Sequence, residues 1–177
     1  MKYAAFLRGI NVGGIVLKME DVKSIFTGLE FRDIQTYIQS GNIVFKSSET
    51  KTAHLEKRIH ESILSKFNLD IVTFVKTQEQ MLSIISNSPF GKNFDEKRLY
   101  VTFLAAIPSE GNLAEIKAIR SDQEKFLPSK DIIYSFYGNG YGKSKYTNNY
   151  FEKILDVSAT TRNWNTISRI SDIMNAG

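Results

Sequence analysis

The chain has 177 residues, 42% of them hydrophobic, and 23 Lys and Arg against 19 Asp and Glu for a net charge of +4. That length and apolar content suit a buried core in one domain or two small halves, and the mild basic excess permits an anionic partner without requiring one. The absence of cysteine excludes disulfides, thiolate metal sites and a thiol nucleophile. Only five apolar residues separate Lys2 from Arg8, too few for a secretory signal, and no apolar run reaches the roughly 18 residues of a membrane span. A cytoplasmic protein with no membrane partner is expected.

In chain order, Tyr3–Arg8 is predicted as a strand, and Met19, Val22, Ile25, Phe26 and Leu29 fall at helical spacing. "DIQTYIQSGNIVFK" then holds two β-rich runs meeting at Ser40–Gly41. This predicts a tight hairpin with Gly41 at positive φ, Ile38 opposite Ile43 and Thr36 opposite Phe45. Leu55, Ile59, Ile63 and Phe67 mark a second amphipathic helix, and Asp70–Val75 a strand. The order βαββαβ is the ferredoxin-like pattern.

The second half opens with the strand "RLYVTFLAAI" and a helix through Leu113, Ile116 and Ile119. "EKFLPS" reads as an edge strand whose pairing Pro128 limits, and Asp131–Tyr137 as a firmer strand. Two helices are then predicted, one lined by Tyr150, Phe151, Ile154 and Leu155, the other by Trp164, Ile167, Ile170 and Ile173. The expected fold class is α+β. A ferredoxin-like βαββαβ unit in residues 1–76 precedes a degenerate second α+β half in residues 77–177 that ends in two helices, the whole packing as one compact unit.

Two glycine-rich loops draw attention. "RGINVGG", Arg8–Gly14, follows a strand, but its spacing fits no nucleotide-binding fingerprint. "GNGYGKS", Gly138–Ser144, ends as a P-loop ends, yet Tyr137 stands where a P-loop needs glycine, and no parallel αβ sheet surrounds it. Glycine-rich turns can aim backbone N–H groups at an anion, and Lys143 and Lys145 would add charge beside the second loop. Taken singly, each loop reads better as a turn.

In "TTRNWNTISRI", Thr161 is predicted to cap the last helix, which leaves Arg162 and Asn163 in its first turn. A cation there opposes the helix dipole, so an anionic ligand or an acid such as Asp156 is expected beside it. In the hairpin, Thr36, Ile38, Ile43 and Phe45 face the helices, while Tyr37, Gln39, Asn42 and Val44 line the other side, where Arg8 could join Gln39 and Asn42. With Phe45 turned to the helices, the aromatic platform of an RNA-recognition motif is missing. His54 and His60 lie six apart on one helix, the wrong spacing for a paired metal site. No serine-nucleophile elbow or carboxylate pair stands out, so no catalytic residue, metal or cofactor is assigned.

Together, "FLRGINVGG", "TYIQSGNIVF" and "TTRNWNTI" resemble the signature stretches of the bacterial domain-of-unknown-function family 1697, over nearly the whole chain. The matching positions are Arg8, Gly9, Asn11, Gly13, Gly14, Gln39, Ser40, Gly41, Asn42, Ser144, Lys145, Arg162, Asn163 and Trp164. The resemblance implies a cytoplasmic, ferredoxin-like α+β protein with an elaborated second half, and no catalytic residues.

The expected site is composite. It gathers Arg8, Asn11, Gly13 and Gly14 from the first loop, Gln39 and Asn42 from the hairpin, Lys143, Ser144 and Lys145 from the second loop, and Arg162 and Asn163. Its ligand would carry phosphate, as a nucleotide or a nucleic-acid backbone does. The alternatives are an enzyme on a nucleotide-like substrate, with Asp21 or Asp131 drawn into the cleft, or an interaction module in which the motifs hold the halves together.

Overall fold

The computed structural model of the chain describes residues 1–11, 13–91 and 93–176. It divides into two units, Met1–Ser83 with Arg169–Gly177, and Ile84–Ser168.

The first unit runs β1 (Lys2–Leu7), α1 (Met19–Gly28), β2 (Arg32–Tyr37), β3 (Asn42–Lys46), α2 (Thr52–Phe67) and β4 (Thr73–Thr77). Its antiparallel sheet has the order β2-β3-β1-β4, the ferredoxin-like arrangement. Strand alternation sends Tyr3, Ala5, Leu7, Ile43 and Phe45 to one face, where they bury Val22 and Phe26 of α1 and Leu55, Ile59 and Ile63 of α2. Phe45 sits at the centre, its ring 4.6 Å from Phe31 and 5.2 Å from Phe26 between centroids. The helix-facing side predicted for Phe45 is therefore observed.

The hairpin pairs Tyr37 with Asn42, Thr36 with Ile43 and Gln35 with Val44. This register differs by two residues from the expected one, because the turn takes four residues, Ile38–Gly41. A two-residue slip keeps every paired side chain on its predicted face. It takes Ile38 and Gln39 out of the sheet: Ile38 stands at φ 50° and is 53% exposed. The cause lies at Gly41, whose carbonyl accepts a hydrogen bond from the Leu7 N–H at 2.8 Å. Gly41 is at φ 70°, and a Cβ there would come within 2.8 Å of Leu7 Cβ and Ile10 Cδ1.

In chain order β4 is followed by a further helix, α3 (Gln78–Ser86), which falls outside the predicted elements. The second unit then contains β5 (Leu99–Leu104), α4 (Glu110–Ala118), β6 (Glu124–Ser129), β7 (Ile132–Tyr137), α5 (Asn148–Leu155) and β8 (Ala159–Asn163). Its sheet order is β6-β7-β5-β8, so the first unit's topology recurs in full. Ala159–Asn163, expected at the junction of two helices, pairs antiparallel with β5 from Leu104↔Ala159 to Tyr100↔Asn163. The β-branched pair Thr160–Thr161 favours this extended course. Thr161, Arg162 and Asn163 are thus strand residues, and the last helix, α6 (Trp164–Asn175), follows β8 with no loop between. β6 is the expected edge strand, with Pro128 opposite Ile133. The core joins Leu104, Ile133 and Tyr137 of the sheet to Ile116 of α4 and Phe151 and Leu155 of α5.

The division between units falls within α3 and again within α6. The end of α6 is tied into the first unit by Lys2 Nζ, which donates to the Met174 carbonyl at 2.9 Å, and by Gln78 Nε2, which donates to Asn175 Oδ1 at 2.7 Å. Among the described residues no helix is long and apolar enough to cross a membrane.

Gly41→Ala combines a left-handed φ with crowding against the Leu7 and Ile10 side chains and is expected to cost about 2 kcal/mol or more. Gly28→Ala, at a helix position with nothing within 4 Å of the new methyl, should be neutral or gain up to about 1 kcal/mol. Urea denaturation midpoints of the two variants check both.

Candidate functional site

The Arg8–Gly14 loop belongs to the first unit, and its fastening is Asn11. Asn11 adopts φ 56°, a left-handed conformation that asparagine tolerates better than most residues. Its Oδ1 accepts the Leu17 N–H at 3.0 Å, its Nδ2 donates to the Leu17 carbonyl at 3.0 Å and to that of Gln39, and its own N–H donates to the Ile15 carbonyl at 2.7 Å. One amide side chain therefore closes the first loop and pins it to the hairpin loop. Asn42, fully buried, donates from Nδ2 to the Tyr37 carbonyl and to Ser40 Oγ, which closes the hairpin from within.

Arg8 is half-buried, and its N–H donates to the Val72 carbonyl at 2.9 Å. Gly13 and Gly14 are exposed at φ 62° and 96°, with nothing within 4 Å of where a Cβ would be. Among the described residues, the N–H groups of these two glycines meet no acceptor. Val12 lies outside the described residues.

The Gly138–Lys145 loop, with Arg162 and Asn163, belongs to the second unit. A P-loop leaves the N–H groups of its closing Gly-Lys-Ser for phosphate. Here the Lys143 N–H donates to the Gly140 carbonyl and the Ser144 N–H to the Tyr141 carbonyl, both at 3.1 Å, while Ser144 Oγ accepts the Tyr146 N–H at 3.0 Å. The loop uses those donors in its own turns. Lys143 and Lys145 are exposed, and Lys145 Nζ stands 5.1 Å from the centre of the Tyr146 ring.

Arg162 lies on β8 opposite Val101, so it shares a sheet face with Val101 and Tyr134 rather than with the α4 and α5 core. Its Nη1 donates to Thr160 Oγ1 at 2.8 Å and to the Thr161 carbonyl at 2.9 Å. Loss of water around the guanidinium pulls its pKa down to about 10, against the opposing pull of Tyr141. Asn163 is exposed and works as a cap: its Oδ1 accepts the Thr166 N–H at 2.9 Å in the first turn of α6. The first-turn cation expected from the sequence is thus a strand residue, and Asn163, not Thr161, is the helix cap.

Tyr137, Tyr100 and Tyr141 crowd beside the second loop, with Tyr100 stacked on Tyr141 at 5.3 Å. Burial raises the pKa of Tyr137 far above the ordinary range, the neighbouring Tyr141 adding to it, and burial also raises Tyr141. The carboxylates with altered pKa sit on the surface. A hydrogen bond from Lys46 lowers Asp33, and the Lys51 N–H, followed by His54, lowers Glu49.

The first unit also holds a cavity that no local motif announces, about 700 Å³ in volume, whose lining includes Arg32, Lys46, Arg58, Ser47 and Ser48 and one carboxylate, Glu30. Arg32 and Lys46 are directly opposite across β2 and β3, an arrangement that is repulsive unless compensated. Lys46 is compensated by Asp33, 2.6 Å away. Arg58 is held by a hydrogen bond from Nη2 to the Leu29 carbonyl at 2.9 Å and lies 5.3 Å from the centre of the Phe31 ring. The cavity's cations come from β2, β3 and α2, and the first two come opposite only through the irregularity in β2 between Arg32 and Gln35 that shifts the register there.

The sequence profile of the family described as protein of unknown function DUF1697 matches residues 1–134. The chain belongs to this family. Curated proteins provide no match. Among solved structures, the fold is similar to that of a conserved bacterial protein, SP0830, from Streptococcus pneumoniae, with 23% identity, 98% of each chain covered and a TM-score of 0.77. At that identity the likeness shows a shared fold, and the family as described carries no reaction.

Two outcomes follow from these contacts. Asn163→Ala should lower stability by about 1 kcal/mol while Asn163→Asp keeps it, because aspartate also caps; denaturant midpoints decide this. The buried tyrosines bind their protons more tightly folded than unfolded, so their contribution is complete below the unfolded value near 10 and is lost as pH rises above it. Stability should therefore fall above about pH 10, and tyrosinate absorbance from Tyr137 should emerge only with unfolding.

Proposed function

We propose that this protein binds a phosphate-bearing ligand, a nucleotide or a nucleic-acid backbone, through its first unit. The observation that carries the reading is the cavity beside β2, β3 and α2, where Arg32, Lys46 and Arg58 converge with Ser47 and Ser48. Arg32 and Lys46 stand face to face across the strands; Asp33 meets Lys46, and with three cations against Asp33 and Glu30 the lining still favours an anion. Arg58 is already oriented by Leu29 and Phe31, so little side-chain freedom remains to be lost when its other N–H groups meet phosphate oxygens.

The Arg8–Gly14 loop is the second seat this reading offers. Its exposed Gly13 and Gly14 N–H groups and the Arg8 charge form the elements of a backbone anion nest. The second unit supports the reading less, because the Gly138–Lys145 loop uses its Lys143 and Ser144 N–H groups internally.

The test is a thermal-shift series with nucleotides, phosphosugars and short oligonucleotides at millimolar concentration. It is run on the wild type, on Arg58→Ala with Arg32→Ala, and on Arg8→Ala. A ligand at about ten times its Kd should raise the melting temperature by about 3–5 °C. That shift should vanish in the Arg58/Arg32 variant and survive in Arg8→Ala, and for oligonucleotides it should shrink with added salt. Loss in Arg8→Ala alone would move the site to the loop. No shift with any of these ligands would reject phosphate binding.

A further inference from the structure

We infer that the second unit carries a separate site for a small organic cation of the alkylated-ammonium class. A cavity of about 430 Å³ lies where Ser88, Phe90, Gly91, Phe94 and Glu96, the start of β5 and the first residue of α6 meet. Phe90, Phe94 and Trp164 line it, with Ile85 and Leu99, and Glu96 supplies its one carboxylate.

The chemistry of these walls selects the ligand. Aromatic faces carry negative potential and attract cations, most strongly where water is excluded, and Trp is the best of them. Trp164 is only 9% exposed, so its ring is held by protein neighbours and contributes one rigid patch of the wall. An ammonium with three N–H donors would need acceptors for all of them. An alkylated one needs none, its methyl groups contacting the apolar walls while its charge faces the rings and Glu96. A phosphate or carboxylate would meet Glu96 with like charge. A neutral ligand would gain burial alone.

One wall ring already meets a cation of the chain itself, which a cationic ligand would displace to solvent or leave on the ring's far side. Lys125 Nζ lies 5.1 Å from the centre of the Phe94 ring. Phe94 is braced by Phe90 at 4.9 Å and by Phe136 at 5.0 Å, and the Phe94–Phe136 contact is edge-on. The aromatic walls are therefore packed against neighbours, and the site loses little entropy on receiving a ligand. Trp164 is fixed at the start of α6 by the Asn163 cap.

Trp164 is the chain's single tryptophan, so its fluorescence reports on this cavity without labelling. The probes are choline, tetramethylammonium and the neutral carbon isostere of choline, 3,3-dimethylbutan-1-ol, titrated at matched ionic strength. Saturable change in Trp164 emission is expected with the two cations, with the isostere on the order of tenfold weaker. Glu96→Gln should weaken the cations severalfold and leave the isostere unchanged, with an unaltered melting temperature showing that the fold is kept. Arg58→Ala, in the first unit, should leave this titration untouched even where it abolishes phosphate binding. Equal binding of cation and isostere, or no saturable change at tens of millimolar, would overturn the proposal.

Discussion

The first unit depends on the contact between Gly41 and the end of β1. The Leu7 N–H donates to the Gly41 carbonyl, and the Gly41 Cα lies so close to Leu7 and Ile10 that no side chain fits. The contact sets where the hairpin loop ends and so fixes the β2–β3 register. Asn11 then ties the glycine-rich loop to the same place through the Gln39 carbonyl. "RGINVGG" and "QSGN" look like two motifs, yet they act largely as a single fastening. Glycine holds the left-handed region at Gly13, Gly14 and Gly41 without strain, whereas β-branched Ile38 at φ 50° is local strain that this fastening offsets.

The second unit repeats the strand order, and its glycine-rich loop stands elsewhere, between β7 and α5. There the glycines of "GNGYGKS" let the chain pass close to its neighbours. A Cβ on Gly138 would come within 2.7 Å of the Gln123 carbonyl oxygen, and one on Gly140 within 3.0 Å of Arg98 Nη1. Below the loop, Thr102 Oγ1 and Thr161 Oγ1 lie 2.8 Å apart, and Thr161 Oγ1 donates to Asn148 Oδ1 at 2.6 Å. A hydroxyl has one proton, so Thr102 is the donor to Thr161, and a directed chain links β5, β8 and the start of α5.

What is legible in the sequence follows from which interactions are local. Helix periodicity through Leu55, Ile59 and Ile63, and the alternation of β1, depend on near neighbours, and both match the structure. The hairpin faces survive a wrong register because the error is two residues and the side-chain period is also two. β8 is hidden because Thr161 beside a helix-periodic segment imitates a cap, while its role as a strand residue depends on β5, some sixty residues earlier. The candidate site behaves similarly. Asn11, Asn42, Ser144 and Asn163 stand out in sequence because the chain uses their side chains for its own turns and caps. Arg32, Lys46 and Arg58 carry no local signature, since they meet only through the sheet register and the placement of α2.

Two units of one topology thus present cavities of opposite character. In the first, Arg32 and Lys46 are opposed across strands and Arg58 is braced nearby; in the second, Phe90, Phe94 and Trp164 surround a space with Glu96 at its wall. The shared strand order cannot be the source of that difference, because it is common to both. It comes from side chains that the core leaves free to vary: the ends of β2 and β3 in one unit, and the approach to β5 together with the first residue of α6 in the other. A ferredoxin-like sheet fixes one helix-facing side by packing and leaves strand ends and connections open to chemistry. Those positions, rather than the glycine motifs, are where the two units differ in chemistry.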